Sequence, residues 1–172
     1  VDSTIGLYLS YNNDYIDAVF HSTSNGLTDD SIYVWGYDIP YLKSVDSSWD
    51  KNVSSFSKTV TISYSEASKL LGFNIDKDTP IEILSKTTSN RVKTVKIKDK
   101  TYTGVNLRNI LGLRSTDFNI ELKDNNIIIT TKGYGHGVGL SQYGSNEMAK
   151  LGKTYSQILK HYYTGVSIKK LN

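Results

Sequence analysis

The chain has 172 residues and a formal net charge of +3 at pH 7. A chain of this length forms one ordinary domain and can bury a core without metals or disulfides. Hydrophobic residues make up 38% of it and charged residues 22%, which excludes wholesale disorder. The small positive charge does not indicate a nucleic-acid-binding protein, and it suits contact with an anionic polymer.

Cysteine is absent, and this excludes several kinds of site from the chain. Disulfide scaffolds, thiolate zinc sites, iron–sulfur clusters and cysteine nucleophiles all need that residue. No apolar run approaches the roughly 20 residues that a membrane-spanning helix requires. Because the chain opens on Val1 without a methionine or a signal peptide, we expect it to be a segment of a longer protein.

The first predicted elements form a hairpin. Residues 5–11 are typical of a strand, residues 12–14 of a turn, and residues 15–20 of a returning strand. A small polar segment, residues 21–28, follows and carries many hydroxyl groups. Loops at strand ends often carry functional side chains, so we expect a functional loop there.

The middle of the chain predicts a small lobe at about residues 55–115. Ser63 and Glu66 have the spacing of a helix-capping box, and Gly72 is placed to end that helix. The predicted strands of this region and of the hairpin after it are residues 59–62, 81–85, 92–97, 118–122 and 127–131, and a further helix is predicted at 104–113.

Two short helices are predicted at the C-terminal end. The first spans residues 141–151 and ends at Gly152, and the second begins at the capping box of Thr154 and Gln157 and ends at Gly165. Since the strands come in hairpins and all the helices are short, we predict a strand-rich α+β fold. Its sheets should be mainly antiparallel, with the two C-terminal helices packed against one of them.

Residues 133–144 form the most distinctive stretch, Gly-Tyr-Gly-His-Gly-Val-Gly-Leu-Ser-Gln-Tyr-Gly. Glycines that alternate with larger residues let the backbone approach a ligand closely or adopt positive φ. The stretch is not a dinucleotide fingerprint, because Val138 or Leu140 occupies the position of the third glycine. Gly152 does not belong to a Walker A loop either, because the glycine required five residues earlier is Glu147.

His136 lies inside this stretch and has two interpretations. It can present a polar group to a ligand, or it can hydrogen bond within the loop and hold its shape, and the spacing favours neither. A metal site formed with His21 and His161 is conceivable, although His161 has the pattern of a packed helix residue. A nucleophilic pair of Ser22 and His136 has no G-x-S-x-G elbow to support it.

The four glutamates do not include an evident catalytic acid, although carboxylates are the usual acids and bases of glycan cleavage. Glu66 is explained by its capping box. Glu82 and Glu121 alternate with apolar strand residues, so they are expected to face solvent. Glu147 lies in the middle of a predicted helix. These positions predict a chain with a binding cleft and no catalytic acid of its own.

Several segments resemble the SpoIID/LytB family, and the resemblance spans nearly the whole chain. The most specific segment is residues 133–145, which is similar to the C-terminal signature of the family. Residues 20–28 are similar to its upstream signature. The other similar positions are 34–36, 40–42, 48–50, 89–92, 107–108, 111–115, 148–149, 152, 155, 158–159 and 161–165.

This resemblance implies a peptidoglycan lytic transglycosylase of sporulation. Such an enzyme cleaves glycan between N-acetylmuramic acid and N-acetylglucosamine in strands without stem peptides, and it leaves a 1,6-anhydro end. It is expected to work in engulfment with a peptidoglycan amidase or endopeptidase and a membrane protein. The expected place is the space between the mother-cell and forespore membranes. No cofactor, metal or nucleic-acid partner is implied for this chain.

The chain departs from the family pattern at one point. The catalytic glutamate of the family lies in an N-terminal segment near a Glu-Met-Pro or Glu-Val-Pro motif, which these 172 residues lack. The chain therefore resembles the C-terminal two-thirds of the domain, and we expect the catalytic glutamate and a membrane anchor upstream. LytB-type members imply an alternative, a non-catalytic cell-wall-binding protein that enhances an amidase.

The resemblance also carries over a set of substrate-binding positions, with no catalytic residue or metal ligand among them. Aromatic faces and neutral hydrogen-bonding groups are well suited to hold several sugars. The matching positions are His21, Ser22, Thr28, Trp35, Tyr41, His136, Gln142 and Tyr143.

Overall fold

The computed structural model of the chain describes residues 2–171 and combines eleven strands with five α-helices over that range. The strands are β1 (Leu7–Tyr11), β2 (Asp14–Tyr15), β3 (Phe20–His21), β4 (Ser57–Ser63), β5 (Ile81–Lys86), β6 (Val92–Ile97), β7 (Lys100–Thr103), β8 (Asp117–Lys123), β9 (Asn126–Lys132), β10 (Leu140–Ser141) and β11 (Ser167–Lys170). The helices are α1 (Ser31–Trp35), α2 (Tyr64–Leu71), α3 (Gly104–Ile110), α4 (Gln142–Lys150) and α5 (Tyr155–Tyr162), with 3₁₀ turns at Asp2–Thr4 and Ser48–Asn52. The predicted α+β fold is confirmed.

Antiparallel pairing dominates the sheets, as the hairpin pattern predicts. Three three-stranded sheets, ordered β11-β1-β2, β4-β9-β8 and β5-β6-β7, are antiparallel throughout. The exception is a two-stranded parallel pair of β3 and β10, in which Phe20 faces Leu140 and His21 faces Ser141. This pair brings together residues 21–28, here called the hydroxyl loop, and residues 133–139, here called the glycine loop.

The buried apolar side chains form two separate cores. The first core lies under α2, α3 and the sheets of β4 to β9. Its buried members are Ile62, Ala67, Leu71, Ile75, Val92, Val95, Ile97, Leu107, Leu111, Leu113, Phe118, Ile127 and Ile129. The second core holds α4 and α5 with the parallel pair, and its buried members are Leu42, Val138, Met148, Ile158, Tyr162, Tyr163 and Val166. The lobe boundary at about 55–115 stays a prediction.

Four helices begin at a hydroxyl residue that caps the first turn. The side-chain oxygens of Ser63, Thr103, Ser141 and Thr154 each accept a hydrogen bond from the backbone N–H three residues on. Such a cap satisfies an N–H that has no partner inside the helix. The predicted capping box at Thr154 is confirmed, because the Gln157 side chain bonds back to the Thr154 N–H at 2.9 Å. Among the described residues, no helix is both long enough and apolar enough to cross a bilayer.

The returning strand predicted at residues 15–20 is shorter in the structure. β2 contains two residues, because the backbone that follows finds other partners. The Asp17 N–H donates to the Tyr41 hydroxyl at 3.0 Å, and the Val19 carbonyl accepts from the Leu140 N–H at 3.2 Å. The segment therefore leaves the first sheet and joins the glycine loop.

A buried carboxylate, Asp50, ties the second core together. Its Oδ2 accepts hydrogen bonds from the Ser24 N–H at 3.1 Å and the Ser47 hydroxyl at 2.8 Å, and its Oδ1 accepts from the Ser141 hydroxyl at 2.8 Å. The Ser47 oxygen also lies 2.7 Å from the Tyr162 hydroxyl. One side chain therefore connects the hydroxyl loop, the start of α4 and the end of α5.

We expect Asp50→Ala to destabilise the protein severely, by about 3–5 kcal/mol. The substitution removes the acceptor of three buried hydrogen bonds, and a buried donor that is left without an acceptor costs about 1–3 kcal/mol. Urea unfolding of the purified chain measures the change. The control is Asp14→Ala on the exposed β2, which should shift stability by less than about 0.5 kcal/mol. Equal effects of the two substitutions would contradict this role for Asp50.

Candidate functional site at the glycine loop

The glycine loop and the hydroxyl loop lie side by side and are joined through their backbones. Thr23 and Tyr134 exchange two hydrogen bonds, Thr23 N–H to Tyr134 O at 3.0 Å and Tyr134 N–H to Thr23 O at 2.7 Å. The Asp29 N–H donates to the Gly137 carbonyl at 2.8 Å. Backbone pairing on both sides of the glycine loop holds it rigidly against the hydroxyl loop.

Positive φ angles and close packing explain the glycines of this loop. Gly135 has a φ of +112° and Gly137 a φ of +86°, conformations that side chains rarely adopt. A Cβ at Gly135 would lie 2.8 Å from the Cβ of His21, and one at Gly137 would lie 2.6 Å from the guanidinium carbon of Arg91. Only glycine lets the loop lie this close to the two side chains beneath it.

Both ring nitrogens of His136 are bonded to the backbone. Its Nδ1 accepts from the Val138 N–H at 3.1 Å, so in the neutral ring Nε2 carries the proton and donates to the Phe20 carbonyl at 3.0 Å. The ring nitrogens therefore hold the loop against β3, which agrees with the second of the two interpretations of this residue. The half-buried ring can still offer its face and carbon edge to a ligand.

His21 is buried directly beneath the loop and is 4% exposed. Its Nδ1 lies 3.1 Å from the Val138 carbonyl and must donate to it, which leaves Nε2 as a buried acceptor without a partner among the described residues. Burial, the Arg91 charge and the neighbouring His136 lower the pKa of His21 to about 3. Burial also lowers the pKa of His136. Both rings are therefore neutral at pH 7.

Aromatic rings continue from His136 towards the surface. The His136 ring lies 5.4 Å from the Trp35 ring and 5.7 Å from the His21 ring, between centroids. Trp35 in turn lies 6.4 Å from Tyr37 at an interplanar angle of 26°. Tyr37 is 59% exposed, so this row ends in an open aromatic face. Sequence reasoning missed Tyr37, and its signal was the spacing Trp-Gly-Tyr at the end of α1.

The first turn of α4 places Gln142 and Tyr143 at the other side of the glycine loop. Both side chains are exposed, and the Tyr143 N–H donates to the Ser22 carbonyl at 3.1 Å. The Ser22 hydroxyl lies 3.2 Å from the Thr23 hydroxyl. The structure therefore brings Ser22, Gln142 and Tyr143 to the same junction of the two loops, close to His21.

Thr28 and Tyr41 have supporting positions. Thr28 is fully buried, and its hydroxyl donates to the Lys43 carbonyl at 3.1 Å and accepts from the Val45 N–H at 2.8 Å. The Tyr41 ring packs on Tyr11 at 5.5 Å, and its hydroxyl accepts the Asp17 N–H. Because Thr28 is fully buried and its hydroxyl proton is engaged, a ligand does not reach this hydroxyl in the present conformation. Direct sugar contacts by these two residues stay a prediction.

The described residues are not arranged for either histidine alternative, the nucleophilic pair of Ser22 and His136 or the metal site of three histidines. Because both nitrogens of His136 are engaged, neither can act as a base for the Ser22 hydroxyl in this arrangement. His161 lies on α5, where its Nε2 is 2.6 Å from the Asp46 carbonyl and its ring meets the edge of Trp49. The described residues contain no group of three histidines or carboxylates that could hold a metal ion.

Arg91 is a residue of the site that sequence reasoning missed. It is 1% exposed and lies against Gly137, where Nη1 donates to the Ser115 hydroxyl at 2.9 Å. Its Nε lies 3.9 Å from the carboxylate of Asp29, which is itself buried and accepts from the Ser89 hydroxyl at 2.8 Å. Burial raises the pKa of Asp29. The sequence places Arg91 only within the family-like segment 89–92, and nothing in that pattern shows that its side chain is buried beneath the glycine loop.

None of the four glutamates belongs to the two loops. Glu66, Glu82 and Glu121 are exposed on α2, β5 and β8. Glu147 pairs with Lys150 on α4, with an N–O distance of 2.7 Å. The site therefore offers aromatic faces, backbone groups and hydroxyls, and the described residues supply it with no glutamate acid.

Comparison with known proteins gives three informative relatives, while no protein-family model matches the chain. The chain is 45% identical over 169 residues to Stage II sporulation protein D of Bacillus subtilis (strain 168), covering 98% of the chain and 49% of that relative. It is 46% identical over 169 residues to the protein of the same name in Bacillus amyloliquefaciens, with the same coverage. It is 30% identical over 226 residues to an amidase enhancer of Bacillus subtilis (strain 168), covering 98% of the chain and 32% of that relative. The chain thus spans about half the length of the first two.

Gly137→Ala should cost at least about 2 kcal/mol more stability than Gly72→Ala. Both glycines have similar positive φ angles, +86° and +77°, so both substitutions carry the same backbone strain of about 1–2 kcal/mol. A Cβ at Gly72 meets nothing within 4 Å, whereas one at Gly137 overlaps the buried Arg91. Urea unfolding of both variants isolates the packing contribution, and equal losses would show that Arg91 does not pack on the loop as described.

The buried neutral histidines should make the protein less stable as the pH falls below 6.5. The pKa of His21 is about 3 in the folded chain against a usual 6.5, so the unfolded state binds more protons between these values. Lowering the pH from 7.5 to 5.0 should therefore cost about 2 kcal/mol through His21 alone. Urea unfolding at both pH values measures this. His21→Asn keeps a donor for the Val138 carbonyl and should lose less stability than the unaltered chain between pH 7.5 and 5.0. An equal loss in the two proteins would refute the role of His21 in this pH dependence.

Proposed function

Because the chain belongs to the SpoIID/LytB family, we propose that it forms the glycan-binding part of a peptidoglycan lytic transglycosylase that acts in sporulation. In this proposal the complete protein cleaves glycan between N-acetylmuramic acid and N-acetylglucosamine in strands without stem peptides. The product carries a 1,6-anhydro end. The 45% identity to a sporulation protein over 98% of the chain supports the biological setting.

The row of aromatic rings beside the rigid glycine loop is the observation that carries the proposal. Sugars bind through their apolar faces to aromatic rings and through their hydroxyls to neutral polar groups. Trp35 and Tyr37 supply the rings, and Ser22, Gln142 and Tyr143 supply neutral polar groups at the neighbouring junction. A glycan strand laid across the glycine loop would contact both sets.

The chemistry needs one further group. In a lytic transglycosylase a single carboxylic acid protonates the glycosidic oxygen as the bond breaks, and its carboxylate then takes the proton of the 6-hydroxyl that attacks C1 of the same sugar. No metal or nucleophilic side chain is required. Since none of the four glutamates belongs to the two loops, we assign this acid to a part of the full-length protein outside these 172 residues.

A second candidate is a non-catalytic wall-binding protein that enhances an amidase. The 30% identity to an amidase enhancer favours it, as does a cleft without a glutamate acid. The two candidates share glycan binding and differ in the full-length protein. The first requires a glutamate outside the present chain that contacts the bound strand, and the second does not.

The proposed setting of the complete protein follows from the same family relation. We place it outside the cytoplasm, between the mother-cell and forespore membranes, held by an anchor outside these residues. Its proposed partners are the glycan strands, a peptidoglycan amidase or endopeptidase that removes the stem peptides, and a membrane protein of the engulfment machinery.

We expect the 172 residues to bind denuded glycan strands without cleaving them. Calorimetric titration measures binding, and mass spectrometry of the same mixture detects 1,6-anhydro products. Tyr37→Ala should weaken binding about three- to tenfold, because stacking on an exposed ring contributes about 0.5–1.5 kcal/mol. Tyr155→Ala, at a similarly exposed tyrosine in a separate groove on α5, is the control and should bind normally.

Two results would contradict this proposal. Release of anhydro products by the chain alone would show that the acid lies within it. Failure of the unaltered chain to bind denuded strands at all would remove the cleft assignment.

A further inference from the structure

All three arginines of the chain lie around the glycine loop, whereas the other basic residues are lysines spread along the sequence. Arg91 packs beneath Gly137. Arg114 lies above Tyr134, with 5.1 Å between its guanidinium carbon and the ring centroid. Arg108 lies near the same loop, where its charge adds to the effect of burial in lowering the pKa of His136. The three arginines are thus gathered near this loop, and of the three only Arg91 lies within 4.0 Å of a carboxylate among the described residues, that of Asp29.

Arg114 is fixed to the loop by its backbone and its ring contact. Its carbonyl accepts the Gly135 N–H at 2.9 Å, and Tyr134 is held by the two backbone bonds to Thr23. Tyr134 is 46% exposed, so the guanidinium that covers its ring lies at the surface of the loop. Cation–π packing orients a guanidinium plane without using its N–H donors.

Neither Arg108 nor Arg114 forms an ion pair with a carboxylate in the part of the chain that the structure describes. The Arg108 Nε–H group donates a hydrogen bond to the Leu113 carbonyl at 3.2 Å. Among the carboxylates that the structure describes, none lies within 4.0 Å of either guanidinium. Arg91 cannot serve a ligand, since it is fully enclosed. Two half-buried guanidinium groups without a carboxylate partner among the described residues therefore lie near the proposed glycan path.

We infer that Arg114, assisted by Arg108, recognises a carboxylate of the substrate, the lactyl carboxylate of an N-acetylmuramic acid residue that has lost its stem peptide. A guanidinium pairs with a carboxylate through two parallel hydrogen bonds, which a lysine cannot do. When a stem peptide is attached, the lactyl group is an amide without charge. The arginine pair would then distinguish denuded strands from intact ones.

This inference rests on the proposed function and names the chemistry by which the same cleft selects its substrate. Neutral sugars stacked on Trp35 and Tyr37 give affinity for any chitin-like strand. The arginines add a preference for the acid form of the muramic residue. Selectivity and basal affinity are therefore assigned to different side chains.

The test compares three tetrasaccharides by calorimetric titration on the unaltered chain. One is a denuded strand with free lactyl carboxylates, one is the same strand with those groups converted to methylamides, and one is chitotetraose. We expect the free acid to bind roughly tenfold tighter than the other two, as for a charge-assisted bidentate pair. Equal binding of acid and amide would overturn the inference and leave the proposed function intact. No binding of any strand would contradict the proposed function itself.

Variants of the arginines then show which side chain produces the preference for the free acid. Arg114→Gln should remove the preference for the acid, so that acid and amide strands bind with equal affinity, and Arg114→Lys should restore part of the preference through charge alone. Lys69→Gln on the exposed α2 removes one positive charge elsewhere and should preserve the full preference. Melting temperatures check that each variant is folded. Arg108→Gln tests in the same titrations whether Arg108 contributes to the preference for the acid. An Arg114→Gln protein that still selects the acid would refute the role of Arg114.

Discussion

The hydrogen bonds of the buried Asp50 carboxylate are the contacts on which the arrangement of the candidate site depends. Three neutral donors, from Ser24, Ser47 and Ser141, satisfy it in a region without water-exposed atoms. A buried charge is tolerable when its hydrogen bonds are complete, and very costly when one partner is lost. The segments that carry these donors are far apart in the chain, so the carboxylate fixes where the hydroxyl loop meets the start of α4.

Above that contact, the glycine loop separates neutral from charged groups. His21 and His136 are kept neutral by burial and by the nearby arginines, so neither ring adds charge to the site at pH 7. The arginines near the loop without a carboxylate partner among the described residues are Arg108 and Arg114. This division suits a polymer of neutral sugars that carries acid groups at intervals. Under the proposed function, this local charge would let a chain of small net charge bind an anionic polymer.

Local patterns predicted the local parts of the fold, and the long-range contacts were not predictable. The hydroxyl caps at Ser63 and Thr154 and the β8–β9 hairpin depend on neighbouring residues, and the sequence pattern was sufficient to find them. The parallel pair of β3 and β10 has two residues in each strand, too few for any periodic signal. Burial of Arg91 and the two backbone bonds of His136 depend on segments brought together only by folding. Family resemblance located the loops, whereas the geometry showed which side chains support and which can contact a ligand.

The central claim is that a glycan strand lies across the glycine loop between the aromatic row and the arginines. Chemical-shift mapping of the isotope-labelled chain with a denuded tetrasaccharide tests it most directly. The account predicts saturable shifts at the indole N–H of Trp35, the amides of residues 133–139 and the side-chain amide of Gln142. Shifts confined to the sheet of β5, β6 and β7, or to the groove between β1 and α5, would contradict it.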